Sequence, residues 1–152
     1  MMNNNWSGYV IDGSKTNIDR LKSSYFYQPY ELTAVHAFIT RENINELLCK
    51  SNFDKDLGIL SIDLDGIDYW IFEAITFYEP RILILEYNAV FGNQRKISVP
   101  YQGNFFRTKK HYANLYFGAS LPALAFLAEK KDMPWLGQIV PEEMLFLLEK
   151  IC

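Results

Sequence analysis

Several common structural devices are absent from this chain. Cysteine occurs only twice in 152 residues, at Cys49 and Cys152. The pair is far apart and belongs to no Cys-x-x-Cys pattern, which excludes a disulfide-rich scaffold and a thiolate metal site. Free thiols in a reducing, cytoplasmic setting are the expectation. No apolar run reaches the roughly 18 residues that a membrane-spanning helix needs. Met1-Met2-Asn3-Asn4-Asn5 has none of the charged-then-apolar order of a secretory leader. There is no excess of positive charge: the net charge is −3 and the pI about 5.4. A nucleic-acid-binding face is thereby excluded as the main function. Repeats, linkers and low-complexity segments are also missing.

What remains is ordinary in bulk, with 49% hydrophobic and 22% charged residues, as soluble globular chains have. Aromatic residues, at 16%, are plentiful and spread along the whole length. A chain of this size builds one domain with a real core and is too short to argue for two.

Two segments carry the strongest signal. Gly58-Ile59-Leu60-Ser61-Ile62 breaks into Asp63-Leu64-Asp65-Gly66-Ile67-Asp68, and Arg81-Ile82-Leu83-Ile84-Leu85 breaks into Glu86-Tyr87-Asn88. Short apolar, β-branched runs that end in acids and a turn read as buried parallel strands delivering side chains to a sheet rim. Ligands of open α/β sheets bind beyond such carboxyl ends. Around them the pattern predicts strands at 9–11 and 32–39 and helices at 17–22, 67–77 and 121–131. Asn43, with Glu46 three residues on, predicts a capped helix. Ser120 and Pro122 start the helix at 121. A long charged loop covers about 88–116. Pro141-Glu142-Glu143 followed by Met144 to Lys150 predicts a last helix, with acids first and lysine last. Alternating strands and helices predict an α/β three-layer sandwich around a mainly parallel sheet.

The segments Ile62-Asp63-Leu64-Asp65-Gly66 and Leu83-Ile84-Leu85-Glu86-Tyr87-Asn88 resemble the central strands of class I S-adenosylmethionine-dependent methyltransferases, closest to the FkbM-like group. The resemblance runs from about Trp6 to Lys131. It implies an incomplete Rossmann-like fold over a single domain, 1–152, that lacks the family's first strand and glycine-rich cofactor loop. The tail from about residue 132 diverges, since family members usually close with an antiparallel hairpin.

The resemblance also implies roles. Asp12, with Gly13, aligns with the acid that accepts hydrogen bonds from the cofactor ribose; the same pair reads equally as a plain Asp-Gly turn. Phe38 aligns with the adenine pocket, or simply packs in the core. His36 reads as a satisfied core or pocket-edge histidine. Asp63 and Glu86 are the catalytic candidates, orienting or deprotonating an acceptor hydroxyl, and Asp63 also falls among the cofactor contacts. Asp63, Glu86 and Asn88 together offer the hard oxygen ligands that Mg²⁺ prefers. Asp65 and Asp68 read as turn and helix-start residues. Arg107, Lys109, Lys110 and His111 form a basic loop cluster suited to an acidic acceptor or to solvent. Tyr25, Phe26, Tyr27 and Tyr30 make an acceptor wall or pack under a loop.

Three functions are therefore open from the sequence. The first is an O-methyltransferase using S-adenosylmethionine on a small hydroxyl compound or sugar. The second is a truncated, inactive methyltransferase-like domain whose exposed sheet edges associate with another copy or a partner chain. The third is a small metal- or nucleotide-binding α/β domain of unrelated function, which rests only on the acidic strand ends.

Overall fold

The computed structural model describes residues 7–133, 137–139 and 145–149. The chain divides into two compact units, the first ending at Asn52 and the second beginning at Phe53.

The first unit holds strand β1 (Gly8–Asp12), helix α1 (Lys15–Lys22), strand β2 (Leu32–His36) and helix α2 (Ile44–Cys49). β1 and β2 are parallel and in register from Gly8 opposite Leu32 to Asp12 opposite His36. A right-handed βαβ crossover is the usual way to join such a pair, and α1 provides the helix. Ser14 caps α1 by accepting from the Asn17 amide, and Ile18 is the helix residue buried against the strands. β2 ends at His36, three residues short of the run predicted from sequence. The Ala37 amide still donates to the Asp12 carbonyl, but the chain then turns. The Asn43 side chain makes that turn, accepting from the Thr40 amide and donating to the Phe38 carbonyl. It consequently caps nothing in α2, and the expected capping box is replaced by this 38–43 turn.

The second unit holds β3 (Asp56–Ile62), α3 (Asp68–Ala74), β4 (Glu79–Glu86), α4 (Arg107–Lys110), α5 (Leu121–Lys130), β5 (Gly137–Ile139) and β6 (Leu145–Glu149). The strand order is β3-β4-β6-β5. β3 and β4 are parallel, whereas β6 runs antiparallel to both β4 and β5. This corrects two expectations. The sheet is mixed rather than mainly parallel, and residues 145–149 form a strand instead of a helix. Leu145 to Leu148 is a run of consecutive apolar residues, which fits a strand as well as a helix. The open edge of β4 decides between them, because pairing with it satisfies the backbone of both strands. Residues 141–144 and 150, the rest of the predicted helix, lie outside the described residues. The α/β character stands, built on one two-stranded parallel sheet and one mixed sheet.

The core of this unit packs α3 and α5 with the buried face of β3 and β4. Leu60, Ile62, Leu83, Leu85, Ile71, Phe72, Leu124 and Leu127 are all buried. Pro122 lies in the first turn of α5, and Ser120 caps it by accepting from the Ala123 amide. At the start of the parallel pair, Arg81 grips Asp56 through two hydrogen bonds of 2.9 and 2.6 Å, and Lys55 pairs with Glu79. These exposed pairs help fix register and add little stability.

Candidate functional site

In the first unit, the carboxyl ends of β1 and β2 gather Asp12, Gly13, His36 and Phe38. The Asp12 carboxylate accepts from the Ser14 amide at 2.6 Å and from the Asn17 side-chain amide at 3.1 Å. An ionised carboxylate has about four lone-pair positions, so acceptor capacity remains after this turn is made. The turn and ribose readings of Asp12 are thus compatible. His36 Nε2 lies 3.0 Å from the Gly13 carbonyl oxygen, which makes it a strand-end residue. Phe38 is 48% exposed and lies over Gly13: a Cβ there would sit 3.3 Å from the ring's Cδ2. Glycine therefore permits this close approach, with an aromatic face beside a carboxylate. Of the nearby aromatic group, Tyr25 is exposed and packs edge-on against Phe26, while the Tyr27 hydroxyl accepts from the Ala34 amide.

In the second unit, the register that sets Ser61 opposite Ile84 brings Asp63 opposite Glu86 two residues later, on the same face. Asp63 is exposed. Glu86 is three-quarters buried at its side chain, and this burial raises its proton affinity. The Arg107 guanidinium opposes that rise, and the negative charges of Asp63 and Asp65 add to it. Arg107 Nη1 lies 3.5 Å from Glu86 Oε1 and 3.6 Å from Asp65 Oδ1. Its guanidinium also stacks 4.2 Å above the centre of the Phe117 ring. Lys109 and Lys110 of the predicted basic cluster instead lie over Phe106 and Phe105, and His111 packs on Tyr112.

The loop between Asp63 and Asp68 is built by Asp68, which is only 1% exposed. One carboxylate oxygen accepts from the Leu64 amide at 3.0 Å and the other from the Gly66 amide at 3.1 Å. These bonds hold Asp65 at φ +55° and Gly66 at φ +140°. A side chain at residue 66 would place its Cβ 2.4 Å from the Phe105 ring, so glycine is required there. Burial pushes the Asp68 carboxyl from 3.8 up to about 7; amide hydrogen bonds oppose this, and the charge of Glu86 adds to it. The sequence reading of Asp68 as a helix-start acid is therefore incomplete, because the side chain is the clamp of the strand-end loop.

Asn88 is fully buried. Its amide nitrogen donates to the carbonyls of Leu115 and Phe117, and its oxygen accepts from the Val90 amide. Both ends of the amide are occupied, and Arg107 already supplies positive charge at Glu86. Asp63, Glu86 and Asn88 therefore do not fit a divalent metal. Among the described residues, no group of three or more His, Cys, Asp or Glu is arranged to hold one.

Of the site residues predicted from sequence, Asp12, Gly13 and Phe38 come together in the first unit, and Asp63 and Glu86 in the second. Arg107 was legible only as part of a basic loop; nothing in its neighbourhood signals a pairing with Glu86. Asp-Gly-x-Asp at 65–68 was the one local clue to the buried clamp. A cavity of about 460 Å³ lies elsewhere, between Leu60, Phe72, Tyr78 and Lys131. No protein-family model, curated protein or solved structure matches this chain. No helix among the described residues is long and apolar enough to cross a membrane.

Proposed function

We propose that this chain is a divergent, Rossmann-like domain of the S-adenosylmethionine-dependent methyltransferase type, directed at a hydroxyl group of a sugar or other small molecule. The observation that carries the reading is Glu86. It is a largely buried carboxylate at the carboxyl end of a parallel strand, flanked by Asp63 and faced by one arginine. Burial makes it a better base than a solvated glutamate, because its affinity for a proton moves toward neutral pH. In this role Glu86 accepts the proton of the acceptor hydroxyl, and Asp63 orients the substrate by accepting a hydrogen bond from a neighbouring hydroxyl. The cofactor supplies an electrophilic methyl group to the acceptor oxygen.

Taken by itself, the first unit's strand-end group fits a nucleoside. Phe38 offers a half-exposed ring face and Asp12 acceptor oxygens for ribose hydroxyls, while Gly13 lets the ring lie close to the turn. The methionine portion of such a cofactor fits less well, since no two glycines in the sequence stand in a Gly-x-Gly arrangement. Cofactor binding by this chain alone is accordingly weak.

The test is transfer of labelled methyl from millimolar S-adenosylmethionine to a panel of sugars and simple alcohols. Glu86→Gln is expected to lower the rate by about 100-fold, the usual scale of a lost general base. Transfer that is equally fast in the variant refutes the assignment of Glu86.

One observation favours a second, non-enzymatic reading. Among the described residues β3 has a strand neighbour on one side only, and its Ile59 and Leu57 are half-buried. An open edge of this kind pairs readily with another strand. Sedimentation velocity distinguishes the readings: concentration-dependent dimers without methyl transfer support an interaction module.

A further inference from the structure

A closed chain of contacts links the end of β4 to the arginine that faces it. Asn88, two residues after Glu86, donates to the Phe117 carbonyl at 3.0 Å. Phe117 is 4% exposed, and its ring carries the Arg107 guanidinium. That guanidinium returns to Glu86. An exposed surface ion pair contributes little because both partners are free to move. Here the ring under Arg107 is buried and tied to the same strand end as Glu86, so the cation is held in place.

We propose that Arg107 is a positioning residue for Glu86: stacked on Phe117, it aims the Glu86 carboxylate at the strand-end rim. The charges facing Glu86 support this role. Asp63 and Asp65 approach from the loop after β3 and their negative charges raise its proton affinity; Asp68, from α3, has its own carboxyl raised to about 7 by burial. Against burial and these neighbours, Arg107 is the cation that opposes protonation. Asp65 is a second carboxylate on the same Nη1 of Arg107. Arg107 thereby sets the pH range in which Glu86 can accept a proton. The catalytic meaning of this role rests on the methyl-transfer reading, whereas the titration of Glu86 does not.

The test is a ¹³C NMR titration of glutamate carboxyl groups in the full chain, with Glu86 assigned by Glu86→Gln. In Arg107→Gln the Glu86 midpoint is expected to rise by about 0.5–1 pH unit, the scale of a partly buried ion pair. Arg107→Lys should produce a smaller rise, since the ammonium keeps the charge and loses the planar fork. Phe117→Leu, which removes the ring and retains the arginine, should also raise the midpoint. A midpoint within about 0.2 unit of wild type in Arg107→Gln overturns the proposal. If Arg107→Gln fails to give a folded circular-dichroism spectrum, the Arg107→Lys and Phe117→Leu titrations decide in the same way. A shift without any methyl transfer upholds the Arg107 role and counts against the enzyme reading. Methyl transfer without a shift does the reverse.

Discussion

Removing the charge of Asp68 should reshape how stability depends on pH. The carboxyl is buried among Leu64, Gly66 and Ile67, and its proton affinity is raised from 3.8 to about 7. A raised folded-state value means that the native state holds a proton the unfolded chain has already lost. The contribution of Asp68 is therefore most favourable below pH ~4, where both states are protonated, and is lost as pH rises to 7 and beyond. At about 1.4 kcal/mol per unit of pH over that window, the loss between pH 5 and 8 is about 2–3 kcal/mol. Asp68→Asn keeps the shape and one acceptor oxygen but cannot ionise. It also turns an amide N–H₂ toward either Leu64 N–H or Gly66 N–H, a roughly pH-independent cost of about 1–3 kcal/mol. Urea unfolding followed by tryptophan fluorescence at pH 5, 6, 7 and 8 measures both proteins under the same conditions. The variant should start less stable at pH 5 and gain on wild type as pH rises, closing most or all of the gap by pH 8. Other groups titrate in both proteins, so the difference between them isolates Asp68. A gap that stays constant from pH 5 to 8 would refute the assignment of a proton to buried Asp68.

Other substitutions test the scaffold around the rim. Gly66→Ala combines a left-handed backbone with a Cβ 2.4 Å from Phe105 and should cost about 2–4 kcal/mol, read as a lower urea midpoint. Asn88→Ala leaves the carbonyls of Leu115 and Phe117 and the amide of Val90 without this partner; it should cost about 2–4 kcal/mol and speed proteolysis within residues 89–117. Ser120→Ala removes the cap of α5 together with the bonds to Ile97 and Arg95, and a loss of about 1–3 kcal/mol is expected in the same unfolding assay.

The elements that local rules determine were legible in the sequence. Apolar runs breaking into acids located β3 and β4, and Ser120 with Pro122 located the start of α5. The pairing of Asp63 with Glu86 followed because parallel strands end on one side. Where local and long-range demands competed, the sequence misled. Residues 145–149 are an apolar run bracketed in sequence by the helix-end signals Pro141-Glu142-Glu143 and Lys150, and the open edge of β4 selects a strand. Asn43 offers a cap, but the turn at 38–40 takes its side chain instead. The roles of Arg107 and Asn88 depend on a loop of nearly thirty residues returning to β4, and no local pattern encodes that return. Asp68 was visible as a helix-start acid, yet its place as the clamp of the loop depends on Leu64 and Gly66 turning their amides onto it.

The proposed nucleoside site lies at the ends of β1 and β2, around Asp12, Gly13 and Phe38. It is tested most directly by titrating the ¹⁵N-labelled chain with adenosine and with S-adenosylhomocysteine. The account predicts saturable shifts of the Gly13, His36 and Phe38 amides. One stacked ring and a few hydrogen bonds correspond to a dissociation constant of about 0.1–1 mM, and Asp12→Ala should abolish the response. Absence of shifts at several millimolar ligand, or shifts unaffected by Asp12→Ala, would contradict it.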